Sequence, residues 1–236
     1  DRSSLRSPDT LLWPDAACMR GIHTGEWTAH IFEYAMSFEG NMTQVRELAA
    51  ANGVGVLHPH GALATDPPGL IVCDVDSTVT RTEAIDLLAE CAGNADEVRE
   101  ITARAMVGEL DFTQSLYARV RCLEGLHIGA LEEAWKATVI TPGTAELVAA
   151  AHDVGAAVGL VSGGFTAIVD PLAEQIRADF AASNELEIVD NHLTGRVVGD
   201  IIDRAAKATW LRRWASECGV ALERTIALGD GANDLD

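Results

Sequence analysis

Positive charge is scarce in this chain. Seventeen Lys and Arg stand against 36 Asp and Glu in 236 residues, a formal net charge of -19. Such a surface repels nucleic acid and anionic membranes, so neither is an expected partner. It also repels an anionic substrate at long range, so a site for one must carry its own local cations. No apolar run is long enough to span a bilayer, and no signal peptide precedes the first apolar segment. The five cysteines (Cys18, Cys73, Cys91, Cys122 and Cys218) form no C-x-x-C pair. Their odd number and wide scatter argue against a disulfide framework or a zinc site and fit reduced thiols in the cytoplasm. No G-x-x-x-x-G-K-[ST] occurs, which argues against a P-loop enzyme. Internal repeats and low-complexity tracts are missing too. The first residue is Asp1, not methionine.

What is present is a hydrophobic content of 48% with only 22% charged residues, enough for a packed core. The run Thr65-Asp66-Pro67-Pro68-Gly69 can continue neither a helix nor a central strand, so it marks a boundary. Residues 1–66 are read as a small N-terminal α/β domain, with strands at 31–36 and 54–57 around a helix at 42–51. Residues 67–236 form the larger part.

In the larger part three apolar runs end in polar clusters. Gly69-Leu70-Ile71-Val72-Cys73 leads to Asp74-Val75-Asp76. Residues 156–161 lead to Ser162-Gly163-Gly164. Thr225-Ile226-Ala227-Leu228 leads to Gly229-Asp230-Gly231-Ala232-Asn233-Asp234. Continuous apolar runs suit strands buried on both faces. Helical patterns at 144–152 and 204–218 alternate with them, which predicts a parallel sheet with helices on its faces. The stretch from 82 to about 140 has helical periodicity, with Ile85, Leu88 and Ala89 on one side, and no strand. It reads as a helical insertion after the first strand of the sheet. Thr141-Pro142 is read as an N-cap and first-turn proline.

The carboxyl ends of parallel strands are where open α/β sheets bind ligands. Asp74 and Asp76 stand one residue apart at such an end. Two buried carboxylates repel unless a divalent cation binds or one keeps its proton. The glycines after Ser162 let the backbone approach an oxyanion, and the helix start near Thr166 offers N–H groups. Taken alone, this is also an ordinary strand-to-helix turn. Asp230, Asn233 and Asp234 supply the oxygen ligands that magnesium prefers. Lys207 is a candidate counter-charge for phosphoryl oxygens. By itself it reads as a surface lysine.

Together, in this order, Asp74-Val75-Asp76-Ser77-Thr78, Ser162, Lys207 and Gly229-Asp230-Gly231-Ala232-Asn233-Asp234 resemble the four motifs of the haloacid dehalogenase-like phosphatases. Within them the chain is similar to the phosphoserine phosphatase family over roughly residues 68–235. Glu83, the run from Ala105 through Met106 to Phe112, Arg119, Ser162-Gly163-Gly164-Phe165-Thr166 and Asn184-Glu185-Leu186-Glu187 carry that closer likeness.

The resemblance implies a Rossmann-like parallel core with a small helical cap at about 82–140. It also implies hydrolysis of O-phospho-L-serine, the last step of L-serine biosynthesis. Asp74 would be the nucleophile and Asp76 the general acid and base. Asp74, Asp76 and Asp230 would hold Mg2+. Glu83 would meet the substrate ammonium and Arg119 its carboxylate. Met106 and Phe112 would shield the site, while Ser162, Gly163, Lys207 and Asn233 would serve the phosphate. The N-terminal region is similar in position to an ACT-like regulatory domain, and a homodimer is admitted. The family continues with strand and helix after the fourth motif, so further residues are expected beyond Asp236. Two alternatives stay open: a related phosphatase for another small phosphomonoester, and an inactive amino-acid-binding fragment.

Overall fold

The computed structural model describes residues 18–24, 27–32, 42–51 and 61–231. The chain divides into two units, Asp1–His60 and Gly61–Asp236. In the first, β1 (Cys18–Thr24) pairs antiparallel with β2 (Trp27–Phe32), and α1 spans Met42–Ala51. The helix lies at the expected residues. The strand expected at 31–36 begins earlier, at Trp27, because its extent follows its pairing with β1, from Thr24↔Trp27 to Cys18↔Phe32. Residues 33–36 and the strand expected at 54–57 lie outside the described residues.

The second unit is built on a five-stranded sheet in the order β6-β5-β4-β3-β7. Here β3 is Leu70–Cys73, β4 Ala157–Phe165, β5 Phe180–Val189, β6 His192–Val198 and β7 Thr225–Leu228. β7, β3, β4 and β5 run parallel, and β6 returns antiparallel to β5. Every residue of β3 is at most 5% exposed, which explains its unbroken apolar sequence. Ile71 and Cys73 face a core shared with α6 (Thr144–Asp153) and α7 (Thr166–Ile176). Leu70 and Val72 face Trp214 and Ala215 of α8 (Arg204–Glu217). The result is helix, sheet, helix, the doubly wound layering expected of such strands.

Five helices lie between β3 and β4: ahead of α6 come α2 (Ala84–Ala92), α3 (Ala95–Met106), α4 (Phe112–Arg121) and α5 (Gly129–Ala137). The segments leading in and out of them are stitched together. Arg81 N–H donates to Val139 O and Thr141 N–H to Val79 O, beside a bridge between Thr80 and Ile140. Leu88, Val98 and Leu116 from these helices, with Leu123 from the turn after α4, share a core with Phe165, Ile168, Leu186 and Leu193.

Two local readings are corrected. Thr141 does not cap α6. Its hydroxyl donates to Thr78 O, and Gly143 caps the helix after a turn in which Gly143 takes φ 94°. The Ser162-Gly163-Gly164 segment is not a loop after the strand but its last, irregular part. Pairing to β5 slips between Val161 and Phe165, and α7 starts directly at Thr166. Among the described residues no helix is long and apolar enough to cross a membrane.

Candidate active site

The chain leaves β3 on one side toward β4 and later returns on the other side as β7, so the ends of these strands bound a crevice. A cavity of about 280 Å³ opens there. Asp74 and Asp76 line it from the end of β3, Gly163 and Gly164 from β4, Lys207 from α8 and Asp230 from beyond β7. Glu83, Phe112 and Arg119 line it from the helical side. These are nine of the expected positions and their neighbours, drawn from residues 74 to 230 into one space.

Asp74 follows the strand in extended conformation and is 6% exposed. Its N–H is held by Leu228 O at 2.8 Å, so the β3–β7 ladder fixes where it emerges. Its Oδ1 lies 2.6 Å from Lys207 Nζ, with both side chains nearly buried. Lys207 sits in the first turn of α8, whose start is set by Asp203. That carboxylate accepts the Ala206 N–H at 2.8 Å.

The chain then turns sharply through Val75–Val79, with Ser77 at φ 59°. A left-handed serine is uncommon, and here its Oγ donates to Glu83 Oε1 at 2.7 Å. The turn aims Asp76 back at the cavity. Asp76 Oδ1 accepts the Ala84 N–H at 3.1 Å, and Oδ2 lies 3.5 Å from Ser162 Oγ. Burial raises its carboxyl pKa to about 7. The charges of Glu83 and Asp74 add to that rise, and the Ala84 N–H and Lys207 oppose it. A carboxyl so placed can carry a proton near neutral pH and also give it up.

Gly164 is required by this arrangement. A Cβ there would lie 2.6 Å from Asp76 Oδ2 and 3.0 Å from Ser162 Oγ. At Gly163 a Cβ would meet the Phe112 ring at 2.8 Å. Ser162 itself is fully buried behind the cavity wall and accepts the Gly164 N–H at 2.8 Å.

Arg119 stands on α4, whose first turn is fixed by a reciprocal cap between Asp111 and Gln114. Burial lowers the guanidinium pKa, while Glu83, Asp86 and Asp76 favour its charged form. It stays a cation facing carboxylates.

Asp230 Oδ1 lies 3.5 Å from Thr78 Oγ1. Among the described residues no three His, Cys, Asp or Glu side chains converge closely enough to hold a metal by themselves. The acidic side chains around the ends of β3 and β7 nevertheless offer oxygen: Asp74, Asp76 and Asp230 line the cavity, with Thr78 beside Asp230. Magnesium needs only one or two carboxylates beside other oxygens, so the donor chemistry suits it.

Three expected site residues are not placed along this space: Ser162, buried behind its wall, Met106 and Asn233. Met106 is 85% exposed at the end of α3 and does not line the cavity. Asn233, with Asp234, lies outside the described residues. Conversely, sequence reasoning passed over Asp203 and Arg204, which line the cavity, and Ser77, which holds Glu83. Asp203 before Arg204 carried a readable N-cap signal. Nothing local in the sequence marks a serine as left-handed.

Comparison with known proteins agrees with this geometry. A family model described as haloacid dehalogenase-like hydrolase matches residues 71–236. A phosphoserine phosphatase of Streptomyces coelicolor is 51% identical over 188 residues, 80% of this chain and 46% of that protein. One of Streptococcus thermophilus is 50% identical over 167 residues, 71% of this chain and 78% of that protein. A solved structure described as a phospho-aspartyl intermediate analogue of phosphoserine phosphatase superposes with a TM-score of 0.67 at 40% identity. It covers 72% of this chain and 81% of that one. The chain spans less than half the length of the Streptomyces protein. With the sheet, the crevice and a family match over most of its length, the chain belongs to the haloacid dehalogenase-like hydrolases.

Proposed function

We propose that this chain carries the catalytic part of a phosphoserine phosphatase, hydrolysing O-phospho-L-serine to L-serine and phosphate. The observation that carries the reading is the pair at the end of β3. Asp74 is charge-paired with Lys207 at 2.6 Å, and Asp76 beside it has its pKa raised to about 7. One carboxylate is ion-paired at the strand end, placed to attack, and the other is kept able to hold a proton.

In this mechanism an Asp74 carboxylate oxygen attacks phosphorus while the bond to the serine oxygen breaks. Asp76 gives its proton to that oxygen as it leaves. A water then attacks the aspartyl-phosphate. Asp76 takes a proton from the water, and phosphate departs as the Asp74 carboxylate is restored. Lys207 draws off negative charge from the phosphoryl oxygens, supported by the Ser162 hydroxyl and the Gly163 N–H. A magnesium ion, held by Asp74, Asp230 and the Asp76 carbonyl, would add Lewis-acid charge neutralisation when bound.

Selectivity is assigned to the helical side, read as a cap over residues 82–140. Glu83 pairs with the substrate ammonium, and Arg119 grips its carboxylate in a two-point fork. Phe112, against Gly163, helps to exclude water from the phosphoryl site. The same reading puts the reaction in the cytoplasm as the last step of L-serine synthesis, and gives the unit before Gly61 a regulatory role. Phosphate release from L-phosphoserine by the purified chain, with magnesium and with chelator, tests it. Magnesium-dependent release is expected. Equal release in chelator would remove the metal from the mechanism, and preference for another phosphomonoester would favour the related-phosphatase alternative.

A further inference from the structure

Asn184 is fully buried in β5, yet neither end of its side chain is idle. Its Nδ2 donates to Gly163 O at 2.8 Å, and its Oδ1 accepts the Ile202 N–H at 2.9 Å. Its own backbone carbonyl accepts the Thr166 hydroxyl at 3.0 Å. Only one orientation of the amide satisfies both side-chain bonds, because a carbonyl needs a donor and an N–H needs an acceptor.

The two groups it joins belong to different arms of the cavity. Gly163 lies in the irregular end of β4, where regular pairing to β5 has slipped. The side chain of Asn184 supplies a hydrogen bond there in its place. The opposite edge of the same peptide is also held, since the Gly164 N–H donates to Ser162 Oγ at 2.8 Å. That peptide plane is therefore fixed from both sides. Ile202 precedes Asp203, the cap of α8, and Lys207 N–H donates to Asp203 O at 2.9 Å. The Asn184 amide thus sets the spacing between the glycine segment and the start of the helix that carries Lys207.

We propose that Asn184 is a positioning residue for phosphoryl transfer, holding Gly163 and Lys207 in register on two sides of the phosphate. The inference rests on the phosphatase reading above, but it concerns only the phosphoryl subsite. It does not involve the helices assigned to recognition of the amino acid.

The test uses two variants of the full chain. Asn184→Ala removes both bonds. Asn184→Asp keeps the shape, and its protonated form can still donate to Gly163 O and accept from Ile202, whereas its ionised form sets a carboxylate against a carbonyl. Misplacement by about 1 Å can cost on the order of a hundredfold in rate. Asn184→Ala should therefore lower kcat by roughly ten- to a hundredfold on both phosphoserine and a small aryl phosphate, in equal proportion. KM for phosphoserine should change little by comparison. For Asn184→Asp, activity relative to wild type should climb as pH is lowered from 8 to 5.5. A flat ratio across that range would overturn the proposal even if Asn184→Ala fails to fold. Wild-type kcat in folded Asn184→Ala would overturn it as well, leaving the phosphatase reading intact. Binding of inorganic phosphate is measured in parallel. If wild type binds phosphate without turnover and Asn184→Ala binds at least tenfold more weakly, the positioning role stands and the activity reading falls. In that case without turnover, equal binding by both would remove the positioning role.

Discussion

The contact between Gly164 and Asp76 allows the mechanism to be probed by adding one methyl group. In Gly164→Ala the new Cβ would sit 2.6 Å from Asp76 Oδ2, about 0.8 Å inside the 3.4 Å at which ordinary contact begins. The backbone does not resist the change, because Gly164 is not among the glycines with positive φ. Relief has to come from the Asp76 carboxyl, which is tethered on its other side by the Ala84 N–H at 3.1 Å. Ser162 Oγ, at 3.0 Å from the new carbon, is itself fixed by the Gly164 N–H. A carboxyl pushed aside by close to 1 Å no longer aims its proton at the leaving oxygen, which should lower kcat by on the order of 10–100-fold. Overpacking of this kind costs about 1–3 kcal/mol of stability, so the variant should remain folded but melt earlier. Steady-state kinetics on phosphoserine and a thermal melt are sufficient. Because the displaced group is the proton donor to the leaving oxygen, phosphoryl transfer from an aryl phosphate with a good leaving group should suffer less than transfer from phosphoserine, while the water-activating step that Asp76 also serves slows for both. Activity within twofold of wild type on phosphoserine, in a folded variant, would refute the role given to Asp76.

Three further outcomes are expected. Asp74→Asn should lose turnover by on the order of 10⁴-fold or more while keeping its circular dichroism spectrum, and near-normal turnover would rule out the nucleophile. The pH profile should lose activity above about pH 7, where Asp76 gives up the proton needed by the leaving group. Since the Glu83 charge helps to hold that proton, Glu83→Gln should move the decline to lower pH when assayed with a simple alkyl phosphate, whose poor leaving group still needs the proton, and a decline that moves upward would contradict the assignment. Arg119→Ala should lose about 1.5–3 kcal/mol of transition-state binding, roughly ten- to a hundredfold in kcat/KM, on phosphoserine alone. An equal loss on the aryl phosphate would show that Arg119 does not read the carboxylate.

The sheet was legible where burial imposed a simple rule on the sequence. Leu70-Ile71-Val72-Cys73 has no polar residue because both faces are covered by helices, and the polar residues resume at Asp74, where the strand ends at the cavity. β5 and β6 escaped notice for the opposite reason. They form an antiparallel hairpin at the sheet margin, exposed along alternate residues, and Asp190-Asn191 turns it with φ 50° and 61°. Such a turn accepts Asp and Asn as readily as glycine, so the missing glycine hid it. The early start of β2 was hidden likewise, since pairing with β1, not apolar content, decides where it begins.

The site divides along the same line. Of the residues that act through their own chemistry, the acidic clusters announced themselves, whereas the glycine pair at the end of β4 and Lys207 gained meaning only from the whole set of motifs. Residues that act through geometry did not announce themselves. Ser77 gives no hint of its left-handed turn, and its hydroxyl reaches Glu83 only because that turn reverses the chain within six residues. Asn184 lies 21 residues from Gly163 and 18 from Ile202, and it meets both only because β4, β5 and the approach to α8 converge. Met106 shows the converse. Its place in a family-like run suggested a shield, yet at 85% exposure it covers nothing in this arrangement, while Phe112, six residues on, touches the space a Gly163 side chain would need. Shielding by Phe112 therefore follows from a packed contact, whereas shielding by Met106 would require α3 and the turn after it to move toward the crevice. A probe at Met106 that becomes protected from solvent on adding phosphoserine would report that movement, and one that stays exposed at saturation would leave Phe112 as the shield.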